Sequence, residues 1–238
     1  MIRNIVSILP LTTSFLFLTS YSLLLSATRI NKYTAVFTNK EIVIDGRLDE
    51  RVWLRAKKLN EFYEIKTNKK VKDETVVRVC YDKDNLYIAF ECKDDILINN
   101  ITDNDGPVYS DDACEVFIDI KGEGKTYFEF EVNPVNTVFD AYIKYSQKID
   151  FENAIKWDCK ELKTASSVEE DYKHLRWVTE IKIPLKSLRI SDNIKGKKWA
   201  INFYRIDVDI NQATKYYAWS KTKNWFHEPE CFGVIIFK

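Results

Sequence analysis

The sequence predicts an all-β domain, an antiparallel β-sandwich of jelly-roll type with few short helical turns. Three observations carry that prediction: many short β-branched and aromatic runs, polar turns between them, and almost no helix-period segments interleaved. The runs at 75–81 and 86–92 flank the polar turn Asp82-Lys-Asp-Asn85, a hairpin signature. Ahead of them, residues 41–53 read as a strand, a turn at Asp45-Gly46 and one helical turn that buries Trp53. Further strands are expected at 114–120, 127–132, 138–143, 177–183, 199–207, 216–219 and 234–237, within a domain running from 37 to 238.

Composition narrows the function classes. Lys plus Arg and Asp plus Glu both total 36, so no net field gathers polyanions, and nucleic acid is not an expected partner. Residues 1–27 carry Arg3 as their one charge and end in Leu25-Ser26-Ala27, the pattern of a signal peptide cleaved near Ala27. An uncleaved membrane anchor is the alternative. No Cys lies near Ala27, which argues against a bacterial lipid anchor, and either outcome places the domain outside the cytoplasm. The five cysteines show no C-x-x-C spacing and so no zinc cage. Export permits disulfides, yet Cys80, Cys92 and Cys114 sit inside apolar runs where Cys serves as a small buried hydrophobe.

Strand alternation assigns faces. Phe128, Phe130 and Val132 point to the core, leaving Tyr127, Glu129, Glu131 and Asn133 on the other side. Cys114, Val116, Ile118 and Ile120 likewise point inward, and Glu115, Phe117 and Asp119 away. If the two strands are neighbours, they are expected to build a solvent-facing surface of carboxylates, an amide and rings. That mixture suits a sugar, whose ring face is apolar and whose rim is hydroxyls best met by ionised acceptors. Near the C-terminus, Trp219 is expected in the core, whereas Trp225, in a polar loop beside Asn224, is expected to be an exposed platform.

Five pieces in order, Ile44-Asp-Gly-Arg-Leu-Asp-Glu-Arg-Val-Trp53, 79–89 with Asp94, Asp112-Ala-Cys-Glu-Val-Phe-Ile-Asp119, Val178-Thr-Glu-Ile-Lys-Ile-Pro184 and His227-Glu-Pro-Glu-Cys-Phe-Gly233, resemble the family 9 carbohydrate-binding modules and their DOMON-like relatives. The resemblance implies a module of secreted glycan degradation that clamps a terminal sugar between two aromatic rings. By it, Tyr109 and Trp225 are the clamp rings, and Glu115 hydrogen-bonds sugar hydroxyls. Glu129, Glu131, Asn133 and Asn224 complete the candidate site. The implied partners are an oligo- or polysaccharide and a separate secreted glycoside hydrolase; the implied metal is a structural calcium, for which the acidic loop 103–112 is a candidate holder. Two departures stand out. Tyr109 replaces a Trp, and Glu131 replaces an Arg of the well-studied modules, exchanging a donor for an acceptor. The segment 131–140 looks more like a less characterised branch, so the family's ligand identity does not transfer.

Competing readings follow from the same residues. Glu115, Glu129, Glu131 and Asp112 could furnish the carboxylate pair of a glycoside hydrolase, although the strands give no sign of an enclosed cleft. Haem, which some relatives bind through Met, is not expected, since Met1 is the one Met; His174 reads as part of a charged turn and His227 belongs to the C-terminal motif. An interaction domain that keeps the fold without sugar affinity is the third reading.

Overall fold

The structure, a computed structural model, describes residues 30–238 except 147, 171–174 and 210–212. The leader at 1–27 and His174 with its charged turn therefore lie outside the described residues. In chain order come β1 (Lys32–Phe37), one helical turn α1 (Arg51–Arg55), β2 (Leu59–Glu64), β3 (Lys70–Tyr81) and β4 (Asn85–Asp94). A meander of β5 (Ala113–Asp119), β6 (Thr126–Val132) and β7 (Val138–Lys144) precedes the short helix α2 (Phe151–Ala154). β8 (Lys163–Glu170), β9 (Leu175–Pro184), β10 (Lys198–Asp207), β11 (Lys215–Ala218) and β12 (Gly233–Phe237) complete the fold.

The strands follow the order β7-β6-β5-β10-β11-β2-β3-β4-β9-β8, folded over into a sandwich. β1 pairs in parallel with β12 and β3, and β12 pairs with β10, so the two layers are also joined by a closed ring of strands on one side. Between the layers lies the main core, with Phe90, Trp177 and Ile181 facing Val116, Phe130 and Phe203. The inward faces expected from alternation on β5 and β6 are found there. So are Cys92 and Cys114, whose sulfurs approach to 3.3 Å as thiols; Cys80, Cys92, Cys114 and Cys159 are buried and none of the five cysteines is in a disulfide.

Four strand assignments change. Residues 41–44 form no ladder; the Val43 N–H is taken by the Glu50 carboxylate at 2.9 Å, which holds this stretch as a loop. β1 extends the sandwich ahead of residue 37, and the polar β8 and the short β2 add strands that alternation did not mark. The turn before Trp53 is secured from across the sheet. Buried Glu180 accepts from the N–H groups of Gly46 at 2.9 Å and Asp45 at 3.1 Å and from Nε1 of Trp53 at 3.1 Å. Gly46 has φ +81° and Ser167 backbone and side-chain atoms 3.1 Å from where a Cβ would stand, so conformation and space both call for glycine.

The Phe-Gly ending has an equally local cause. A Cβ on Gly233 would stand 2.5 Å from the indole of Trp219, itself buried as expected, and 3.0 Å from the Asn31 carbonyl oxygen. Gly233→Ala is expected to cost about 1–3 kcal/mol of stability by overpacking. Chemical unfolding checks it, and an unchanged midpoint would contradict the tight contact.

Candidate functional site

The face of β5, β6, β7 and β10 turned away from the main core is not a solvated surface, which corrects the sequence expectation. Phe117, Tyr127, Tyr204 and Ala141 on it are fully buried, and Glu115, Glu129 and Glu131 are 2–3% exposed. The cover comes from elsewhere in the chain: Val108 from the loop after β4, Ala154 from α2, and Phe226 and Phe232 from the segment before β12. Phe226 stacks on Tyr204 with centroids 4.3 Å apart, and the Tyr204 hydroxyl donates to the Phe226 carbonyl at 2.7 Å. Alternation within a strand reports which residues share a face, but whether distant loops roof that face is a tertiary matter.

The roof is incomplete and leaves a cleft of about 530 Å³. Glu115 and Glu131 are cross-strand partners, Glu129 follows on the same face opposite Phe117, and the three offer oxygens all within 4.8 Å of one another. Like carboxylates directly opposite repel. Burial, then the charges of Glu131 and Glu129, push the Glu115 carboxyl well above its ordinary range, and burial with Glu131 does the same to Glu129. Glu131 is pushed up to about 8 by burial, partly offset by hydrogen bonds from Glu129 and the Tyr109 N–H. Protons are therefore shared within the trio near neutral pH. Even so, Oε2 of Glu129 and Oε2 of Glu131 are buried without a hydrogen-bond partner.

Two exposed rings, Tyr109 and Trp225, border this cleft at 56% and 59% exposure, joined by Tyr216. Tyr109 rides on a 3-10 turn, Val108–Ser110, anchored by buried Val108. Asp111, next in the chain, accepts from the Ile101 N–H at 2.8 Å and from Asn133 Nδ2 at 3.0 Å. Asn133 also accepts from the Thr137 N–H at 2.7 Å; it braces the Tyr109 loop and does not line the cleft. Trp225 is carried by a loop whose Asn224 N–H donates to the Glu228 carboxylate at 3.0 Å, and its ring lies 6.0 Å from Phe226 and 6.2 Å from His227. Asn224 is exposed on that loop, also outside the cleft lining. Tyr109, Glu115, Glu129, Glu131 and Trp225 are thus brought together, and the two amides are not.

Sequence reasoning did not place Phe139, Phe151 and Ile155 on the cleft wall. It had set His227 in the C-terminal motif; here the ring is buried, with Nδ1 2.6 Å from the Tyr127 hydroxyl. Burial lowers its pKa to about 4, so the neutral ring makes no ion pair with Glu129, 4.0 Å away.

A second acidic group, Asp94, Asp112 and Asp207, gathers around buried Arg205. Arg205 pairs with Asp94 and, at 3.3 Å, with Asp112, which also accepts from the Ile98 and Val208 N–H groups at 2.7 and 2.8 Å. In the 103–112 loop, Asp111 and Asp112 are thus occupied by internal donors and Arg205. Asp103 and Asp105 of the same loop are exposed.

The buried carboxyls set a pH dependence. Glu131 is raised to about 8, Glu180 and Asp140 to about 7, and Asp112 to about 6, each mainly by burial. In the unfolded chain such groups titrate near ~4, so over this window the folded state holds more protons and stability falls as pH rises. His227 acts oppositely, because its folded pKa of about 4 lies below its ordinary 6.5, but only beneath that value. The melting temperature is therefore expected to drop between about pH 6.5 and 8.5, by roughly 2–4 °C per kcal/mol lost. A scanning-calorimetry series over that range checks this; a rising temperature would contradict it.

Comparison with known proteins agrees with this architecture. The model of the family described as "Carbohydrate family 9 binding domain-like" matches residues 44–238. An extracellular protein of Arthroderma benhamiae is 26% identical over 178 residues, covering 69% of this chain and 78% of that protein. A structure from Bacteroides uniformis, described as that of a candidate carbohydrate-binding protein, superposes with a TM-score of 0.69 at 17% identity, over 88% of this chain and 100% of the other. A family 9 carbohydrate-binding module of Caldicellulosiruptor kristjanssonii in complex with glucose gives 0.60 at 16% identity, over 87% and 96%. In complex with cellotriose it gives 0.58 at 16%, over 87% and 94%. The chain belongs to the carbohydrate family 9 binding domain-like family. Among the described residues no helix is long and apolar enough to cross a membrane.

Proposed function

We propose that this chain is an exported, non-catalytic saccharide-binding domain. Trp225 and Tyr109 supply stacking faces that clamp a sugar ring, and Glu115, Glu129 and Glu131 receive its polar substituents at the base. The observation that carries the reading is one cleft combining two exposed aromatic rings with buried carboxylate oxygens that have no partner. A pyranose offers the matching surfaces, an apolar ring face and donors on its rim. The saccharide complexes of the Caldicellulosiruptor kristjanssonii module support the ligand class.

A binding role is favoured over hydrolysis because the three carboxyls offer oxygens all within 4.8 Å of one another, closer than the roughly 5–9 Å that separates the pair flanking a scissile glycosidic bond. The extracellular relative and the leader read at 1–27 support export, and an oligo- or polysaccharide is the expected ligand, with a separate secreted glycoside hydrolase as its companion. A glycan array run with calcium and after chelation, with a reducing-end assay on the ligands retained, tests the reading. Binding without release of reducing ends is expected. Turnover would make the chain an enzyme, and a flat array would make it an interaction domain.

A further inference from the structure

We infer that the cleft selects an amine-bearing saccharide, a 2-amino-2-deoxy sugar whose ammonium sits among Glu115, Glu129 and Glu131. This rests on the saccharide-binding reading and specifies its ligand. The cleft is lined by acidic groups: Asp105 joins the three glutamates, and no Lys or Arg is among the described residues that line it. Contrast the Asp94, Asp112 and Asp207 group, where a buried guanidinium already compensates the charge.

Oε2 of Glu129 and Oε2 of Glu131 are buried without partners, so two acceptor positions at the base of the cleft await donors. A sugar hydroxyl supplies one donor and no charge. An ammonium supplies three donors and a full positive charge, which matches a trio whose oxygens lie within 4.8 Å of one another and whose shared protons it displaces on binding, returning the carboxyls to carboxylates. The walls favour the same ligand. Tyr109, Trp225 and Tyr216 present ring faces that attract a cation as well as the C–H face of a sugar. A calcium ion at the trio would need six to eight oxygen ligands, and these aromatic walls offer few.

Calorimetric titration of the exported chain with a β-1,4-linked glucosamine tetramer, its N-acetylated counterpart and cellotetraose, at about pH 6, tests the inference. The glucosamine tetramer is expected to bind at least about tenfold tighter than either neutral oligomer, the scale of one charge-assisted hydrogen bond. In a Glu129→Gln/Glu131→Gln variant the ratio should fall toward unity. The wild-type comparison stands if that variant does not fold. Equal or tighter binding of a neutral oligomer would overturn the amine preference and leave the saccharide reading intact, whereas no binding of any oligomer would overturn both. Calcium chloride titrated alone, producing saturable heat that the double variant lacks, would assign the trio to a metal and overturn the inference.

Discussion

Replacing Phe117 by alanine is expected to lower the unfolding free energy by about 3–5 kcal/mol and to disorganise the cleft with it. Phe117 is fully buried beside the carboxylate trio, on the same sheet face and cross-strand from Glu129. Its ring stacks on Tyr127 at 5.5 Å, meets Tyr204 at 4.9 Å, and lies 5.1 Å from His227 and 6.2 Å from Phe232. These partners come from β6, β10 and the C-terminal segment, so no single neighbour can shift to fill the void. Removing the ring also takes the packing from under the loop that carries Trp225. Urea unfolding measures the loss as a lowered midpoint at unchanged slope. A cost below about 1 kcal/mol would show that the second cluster is not a packed core.

Trp225→Ala should do the reverse, leaving the fold and weakening the ligand. The side chain is 59% exposed, and its ring neighbours Phe226 and His227 lie at 6.0 and 6.2 Å. Loss of the indole is expected to reduce saccharide affinity by about 1–3 kcal/mol, the scale measured for stacking of bases on aromatic side chains. The melting temperature should barely move, since little buried area is lost. Titration of wild type and variant with the same oligosaccharide, beside their melting curves, checks both halves. An unchanged affinity would remove Trp225 from the site.

How much of this was legible in the sequence depended on where the determining contacts lie. The inward faces of β5 and β6 could be read because alternation is a property of one strand, and Val116, Phe128 and Phe130 do enter the main core. The outward faces could not, since Phe226 and Phe232 reach Phe117 from more than 100 residues away in the chain. β8 escaped notice because Lys163–Glu170 is a polar edge strand without an apolar face, as edge strands often are. β1 takes its identity from parallel pairing with strands far along the chain, which no local pattern encodes. Within the site, Trp225 stood out as a ring in a polar loop, whereas Tyr109 was marked by the family resemblance alone. The wall residue Phe151 belongs to α2, only four residues long, and had no periodic signal to mark it.

The structure of the chain with an oligosaccharide bound is the most direct test. The account predicts a sugar ring lying flat against the indole of Trp225 in the cleft bordered by Tyr109, with a donor group within hydrogen-bonding distance of the Glu129 or Glu131 carboxylate. A saccharide found instead in the hollow lined by Asp94, Asp207 and Tyr217 would contradict it.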